Sequence, residues 1–189
     1  MLINNINSEE NNFDFTIIGT GPASITLALE LERKGFSSIL FEAGGADYSA
    51  ESQKYYSGSV IGDKYFPLDI TRLRYFGGTS GHWGGQCRPL DKHDLVDWPI
   101  GYYDLRTYLS KATEILEIKG KFRDKPINED FNKFEYQFSP PVRFKEKYYD
   151  KIVKSKKIAL CLNSPLLKII GDNKGNADKI EIFNNNSKK

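Results

Sequence analysis

Two cysteines and two histidines are all that this 189-residue chain offers to thiol or soft-metal chemistry. Cys87 and Cys161 lie far apart, and neither belongs to a Cys-x-x-Cys pair, which argues against a zinc site or a redox dithiol. They read as ordinary thiols of a reducing compartment, and no metal site is expected. Charge of one sign is also missing. With 27 basic and 25 acidic residues the net charge is +2, which gives no general reason to invoke a nucleic acid or an acidic membrane surface. Long hydrophobic runs are absent, none approaching the roughly 20 residues that cross a bilayer. Residues 1–12 lack the basic start and apolar core of a secretory signal, so a cytoplasmic location is expected.

What is present suits a packed α/β domain. Hydrophobic content of 39% and charged content of 28% fit a soluble globular chain, and the length suits one domain. That domain is expected over 13–183, between a flexible tail at 1–12 and a polar tail at 184–189, with no repeat and no separating linker.

Phe13 to Ile18 is a short run of β-formers that stops at Gly19-Thr20-Gly21-Pro22. Ile25, Leu27, Ala28, Leu29 and Leu31 then recur at helical spacing, with Glu32 intruding on the apolar face. Gly35 suits the helix end, and Ser38 to Phe41 reads as a second buried strand. This β-α-β unit implies two parallel strands. Residues 44–76 lose periodicity, as a loop that wraps a ligand would. Helical spacing returns over Tyr103–Ile118 and again from Phe144 to Val153. The candidate strands Ile158–Leu162, Leu166–Ile170 and Lys179–Phe183 close the chain.

Gly19-x-Gly21-x-x-Ser24 lies between a strand and a helix, the position of a phosphate-binding turn. There Gly19 permits the tight turn and Gly21 lets backbone approach a pyrophosphate at the helix N-terminus, alongside Pro22 and Ala23. Ser24 stands where glycine or alanine is usual, which should loosen helix-to-strand packing slightly. Glu42 follows Gly21 by about 20 residues, the spacing of the acid that accepts hydrogen bonds from the ribose hydroxyls of an adenosine.

The run Ile39-Leu40-Phe41-Glu42-Ala43-Gly44-Gly45 resembles the glucose-methanol-choline oxidoreductases. So does Gly77-Gly78-Thr79-Ser80-Gly81-His82-Trp83-Gly84-Gly85, which is similar to the family's glycine-rich loop beside the flavin. Asp97-Trp98-Pro99-Ile100 and Ser139-Pro140-Pro141 are similar to later segments, so the likeness runs over nearly the whole chain. The resemblance implies a Rossmann-like FAD-binding fold, a parallel sheet with an added β-hairpin or meander, in an incomplete form.

FAD is the implied cofactor, held by Gly19, Gly21, Pro22, Ala23, Ser24, Glu42, Ala43, Gly44, Gly77, Gly78, Thr79, Ser80, His82, Trp83, Gly84 and Gly85. His82 stands where many members have Asn and where enzymes similar to pyranose oxidase have a histidine bonded to the flavin. Covalent attachment, simple flavin contact and a structural histidine all stay open. Arg88 reads equally as an aid to an anionic cofactor group or as a salt-bridged side chain.

The implied reaction oxidises a CH–OH group of an alcohol or sugar by hydride transfer to flavin. It uses a late histidine as base, and no histidine follows His93. No catalytic residue is therefore assigned. The chain is expected to be inactive alone and to need a second polypeptide for the C-terminal half; the alternative is a noncatalytic dinucleotide-binding remnant or interaction module. Lys119–Lys157, rich in lysine and aromatics, is too interspersed with acids for a nucleic-acid stripe.

Overall fold

The computed structural model describes residues 1–3 and 12–183. The tail expected at 184–189 and most of that at 1–12 lie outside them. In chain order the elements are β1 (Phe15–Ile18), α1 (Pro22–Arg33), β2 (Ser38–Phe41), α2 (Ala50–Gln53), α3 (Leu68–Thr71), β3 (Gln86–Cys87), α4 (Tyr102–Arg106), α5 (Leu109–Ile115), β4 (Lys125–Pro126), β5 (Asn132–Lys133), β6 (Gln137–Phe138), α6 (Phe144–Lys154), β7 (Ile158–Cys161), β8 (Leu166–Gly171) and β9 (Ala177–Ile182). They fall into two units, residues 1–82 with 143–189, and residues 83–142. The sequence suggests a single domain because the smaller unit is inserted without a polar linker, directly after His82 and directly before Arg143.

The larger unit is an α/β, Rossmann-like fold. Its parallel sheet has the order β1-β2-β7, with Phe15 opposite Ser38, and Ser38 opposite Ile158. Strand periodicity splits the sheet's side chains between two layers. Ile39, Phe41, Ala159 and Cys161 form one buried cluster, against which Ile180 and Ile182 of the antiparallel β8–β9 hairpin pack. On the helical side are the buried Ile25, Ala28 and Leu31 of α1 and Ile152 of α6. The predicted parallel pair, helix and hairpin are all present, and Ile158–Cys161 proves to be the third parallel strand. Residues 1–3 are in order beside it, with Leu2 bridged to Leu160.

Burial across the sheet is uneven. β2 and β7 are buried at every residue, whereas β1 buries only Ile17 and has no second neighbour among the described residues. α1 begins with Pro22 in its first turn, where a missing N–H costs nothing. Glu32, the polar intruder on its apolar face, accepts a hydrogen bond from the Ser155 hydroxyl beyond α6.

In the smaller unit the helix expected over Tyr103–Ile118 is two pieces, α4 and α5. The Thr107 hydroxyl donates to the Asp104 carbonyl at 2.7 Å, and the Tyr108 N–H turns to Leu105 rather than to residue 104. Such side-chain competition for backbone groups breaks a helix. The unit closes through β3 paired with β6, and through Arg88. That guanidinium makes paired bonds to Asp124 at 2.7 and 2.8 Å, reaches Asp91 at 2.9 Å, and lies 4.5 Å from the centre of the Phe134 ring. Of the two readings of Arg88, the salt-bridged one describes its position.

Candidate dinucleotide site

The Gly19–Gly21 turn joins β1 to α1 as the sequence predicts. Gly19 takes φ +87, a conformation that disfavours side chains, and its N–H donates to Phe41 O at 2.7 Å, fastening the turn to the end of β2. Gly21 is different. Its φ of −71 and ψ of 177 suit any residue, and a Cβ built there would meet nothing within 4 Å. Neither backbone strain nor packing in the protein requires glycine at this position. It is the N-cap of α1 and supplies no side-chain cap, and no acidic residue occupies the first turn. The end therefore presents unmatched N–H groups and a partial positive charge to open space. The Ser24 hydroxyl donates to Ile18 O at 3.4 Å.

A second glycine turn stands over the first. The Gly77 N–H donates to Thr20 O at 3.0 Å, and a Cβ on Gly78 would come within 3.5 Å of Gly21 Cα. Gly44 is a packing requirement, since a Cβ there would overlap the Arg74 carbonyl.

Glu42 is buried at the end of β2. Its Oε2 accepts from the Thr20 N–H at 3.0 Å and the Thr20 hydroxyl at 2.5 Å, and its Oε1 accepts from the Gly44 N–H at 2.8 Å. Burial first, and then the charge of Glu42, push the Tyr56 phenol above its ordinary value. Beyond Ala43 opens a cavity of about 450 Å³, bordered by Ser52, Tyr55, Arg74, Asn163 and Leu167. The Arg74 guanidinium lies 4.8 Å from the centre of the Tyr55 ring and donates to the Ser52 hydroxyl at 2.6 Å. The site thus combines a positive helix end, two close glycine turns, a buried acid and an adjoining cavity, which is a chemistry suited to a nucleoside diphosphate.

The sequence matches no protein-family model and no curated protein. Similar solved structures include a probable FAD-dependent monooxygenase, pqsL, from Pseudomonas aeruginosa, with 12% identity over 91% of this chain and 38% of that one, at a TM-score of 0.43. An L-amino acid deaminase from Proteus vulgaris has 14% identity over 86% of this chain and 42% of that one, at a TM-score of 0.31. The chain spans about two fifths of their lengths, and likenesses this distant carry no argument about chemistry.

Of the residues expected to meet a cofactor, Gly19, Gly21, Pro22, Ala23, Ser24, Glu42, Ala43, Gly44, Gly77 and Gly78 cluster as described. Thr79 is exposed, its hydroxyl accepting from the Leu73 N–H at 3.4 Å. Ser80 is committed within the protein, donating to Gly77 O at 2.7 Å and accepting from the Phe144 N–H at the start of α6 at 3.1 Å. The His82 side chain is exposed. Trp83, Gly84 and Gly85 belong to the smaller unit. There the Trp83 indole donates to Val142 O at 3.1 Å, Gly84 is exposed, and Gly85 at φ +76 packs against the Ser139 carbonyl.

Sequence reasoning missed Thr20, Gln53 and Arg74. Gln53 is buried at the end of α2, where its amide donates to Asp69 O at 2.7 Å and to Arg72 O, and accepts from the Arg74 N–H at 3.0 Å. It holds the segment that leads into the second glycine turn. Thr20 sits inside the glycine pattern at a position the pattern leaves free, so only its complete burial marks it.

Proposed function

We propose that this chain is the FAD-binding part of a flavin-dependent oxidoreductase of the glucose-methanol-choline type. The carrying observation is Gly21: a glycine that neither its φ nor its neighbours demand, at the uncapped start of α1, with the Gly78 turn and buried Glu42 beside it. A diphosphate held there accepts hydrogen bonds from the first turn of α1, Glu42 takes the ribose, and the cavity beside Ala43, Tyr55 and Arg74 receives the base. FAD would supply the hydride acceptor for oxidation of an alcohol or sugar CH–OH group. The chain's own part is to bind and orient the cofactor, with His82 the candidate for contact or attachment at the flavin end.

The proton from the substrate hydroxyl needs a base, which we place outside these residues. The histidines of this chain are His82 and His93, and both are exposed. That observation also favours the second reading, a dinucleotide-binding module without catalysis.

Gly21→Ala separates the functional role of Gly21 from a structural one. Its melting temperature should match the wild type, because φ and space both accept a methyl group, while FAD affinity measured by flavin fluorescence should fall at least about tenfold. Unchanged affinity in a preparation that binds FAD would remove Gly21 from the site. Substrate-dependent flavin reduction appearing only when a second polypeptide supplying that base is present would establish the enzyme; reduction by this chain alone would contradict the division of labour.

A further inference from the structure

The acid at the end of β2 is already largely occupied by the protein. A carboxylate oxygen offers two acceptor directions. Glu42 Oε2 fills both with Thr20, through its N–H at 3.0 Å and its hydroxyl at 2.5 Å. Oε1 spends one on the Gly44 N–H at 2.8 Å and keeps the other. Thr20 cannot readily release its hold. It is wholly buried, and its hydroxyl oxygen also lies 3.3 Å from the Gly77 N–H, a donor only. The hydroxyl has one proton, and Glu42 is the acceptor facing it.

We infer that Thr20 sets the specificity of the ribose subsite by saturating Oε2, so that Glu42 reads one ribose hydroxyl and not both. The inference rests on the dinucleotide reading above and narrows it: the ligand is an adenosine diphosphate group in which one of the two secondary hydroxyls is recognised and the other is not. Thr20 acts through Glu42 and is a positioning residue. The same side chain bridges the acid to the second glycine turn, so its hydroxyl ties ribose recognition to the backbone of Gly77.

ADP, 2′-deoxy-ADP and 3′-deoxy-ADP, titrated calorimetrically against the full chain, test this directly. One deoxy analogue should bind about tenfold or more weakly than ADP, the cost of losing a hydrogen bond to a charged group, and the other should stay within about threefold. Thr20→Ser should preserve that one-sided pattern. Thr20→Val, of the same shape without the hydroxyl, removes one of the two bonds that hold Oε2 and frees the carboxylate to turn that oxygen toward the ribose, so both analogues should then bind more weakly than ADP. Equal losses for both analogues in the wild type, or no loss for either, would overturn the inference while leaving ADP binding intact. A one-sided pattern that survives Thr20→Val would overturn it as well. Should Thr20→Val fail to fold, the wild-type pair of analogues and Thr20→Ser still decide. No ADP binding at all would bring down the dinucleotide reading and this inference with it.

Discussion

In the larger unit, β2 and β7 are buried at every residue and sandwiched between two helices and a hairpin. The smaller unit buries only Leu95 and Val142 among its described hydrophobic residues and gathers around one guanidinium. Tyr103, Tyr108, Phe131 and Phe138, all in the smaller unit, remain largely exposed. The first arrangement draws its stability from apolar area removed from water, which salt does not screen and pH hardly touches. The second leans on charge-assisted bonds in a half-wet setting, which respond to both. A single chain thus carries a scaffold built to persist and an insertion built to yield.

The largest test of that contrast is Leu160→Ala. Leu160 is fully buried on the middle of β7, and its truncation should cost about 2–5 kcal/mol in denaturant unfolding followed by far-ultraviolet circular dichroism. A loss below about 1 kcal/mol would mean that the sheet is not the stabilising element.

Both tryptophans, Trp83 and Trp98, lie in the smaller unit, so their fluorescence reports on it alone. Arg88→Met keeps an apolar stem but leaves Asp91 and Asp124 without their common partner. Tryptophan fluorescence should then shift at lower denaturant while the circular dichroism transition moves little. Coincident shifts of equal size would erase the distinction between the units.

Acid should produce the smallest of the three effects. The Arg88 bonds hold the Asp124 carboxyl at about 2, below its ordinary 3.8. A carboxyl depressed on folding stabilises fully above its unfolded value and loses that contribution as pH falls through the folded one. The tryptophan signal should therefore weaken between about pH 4 and pH 2, and Asp124→Asn should remove that acid-dependent step. An unaltered step in the variant would assign it to another group.

Much of the larger unit could be read from sequence because its signals are local. The strand, turn, helix, strand and acid from Phe15 to Glu42 need only nearby residues to be interpreted, and the structure places them as expected. β7 was recognisable as a strand, but its neighbour was not, since pairing with β2 is decided across the whole inserted unit. The glycine-rich loop shows the limit of a motif. Its residues carry one pattern, yet Ser80 caps α6, Gly85 yields to the Ser139 carbonyl, and only Gly77 and Gly78 approach the Gly21 turn. Glu32 looked anomalous on its helix because its partner, Ser155, is remote in the chain. Gln53 and Arg74 gave no signal at all, because polar residues in an aperiodic stretch of sequence look alike until burial separates them.

The uneven burial of the sheet bears on how the proposed dinucleotide site opens. Among the described residues β1 is the strand held from one side only, and it runs directly into Gly19 and Gly21. Fraying that begins at this edge would dissolve the phosphate turn while β2 and β7 still stand. A ligand that grips the turn would, by the same linkage, pin down the loose end of the sheet. Amide exchange along Phe15–Ile18 then becomes a gauge of occupancy, slowed by a molecule that need not touch those residues.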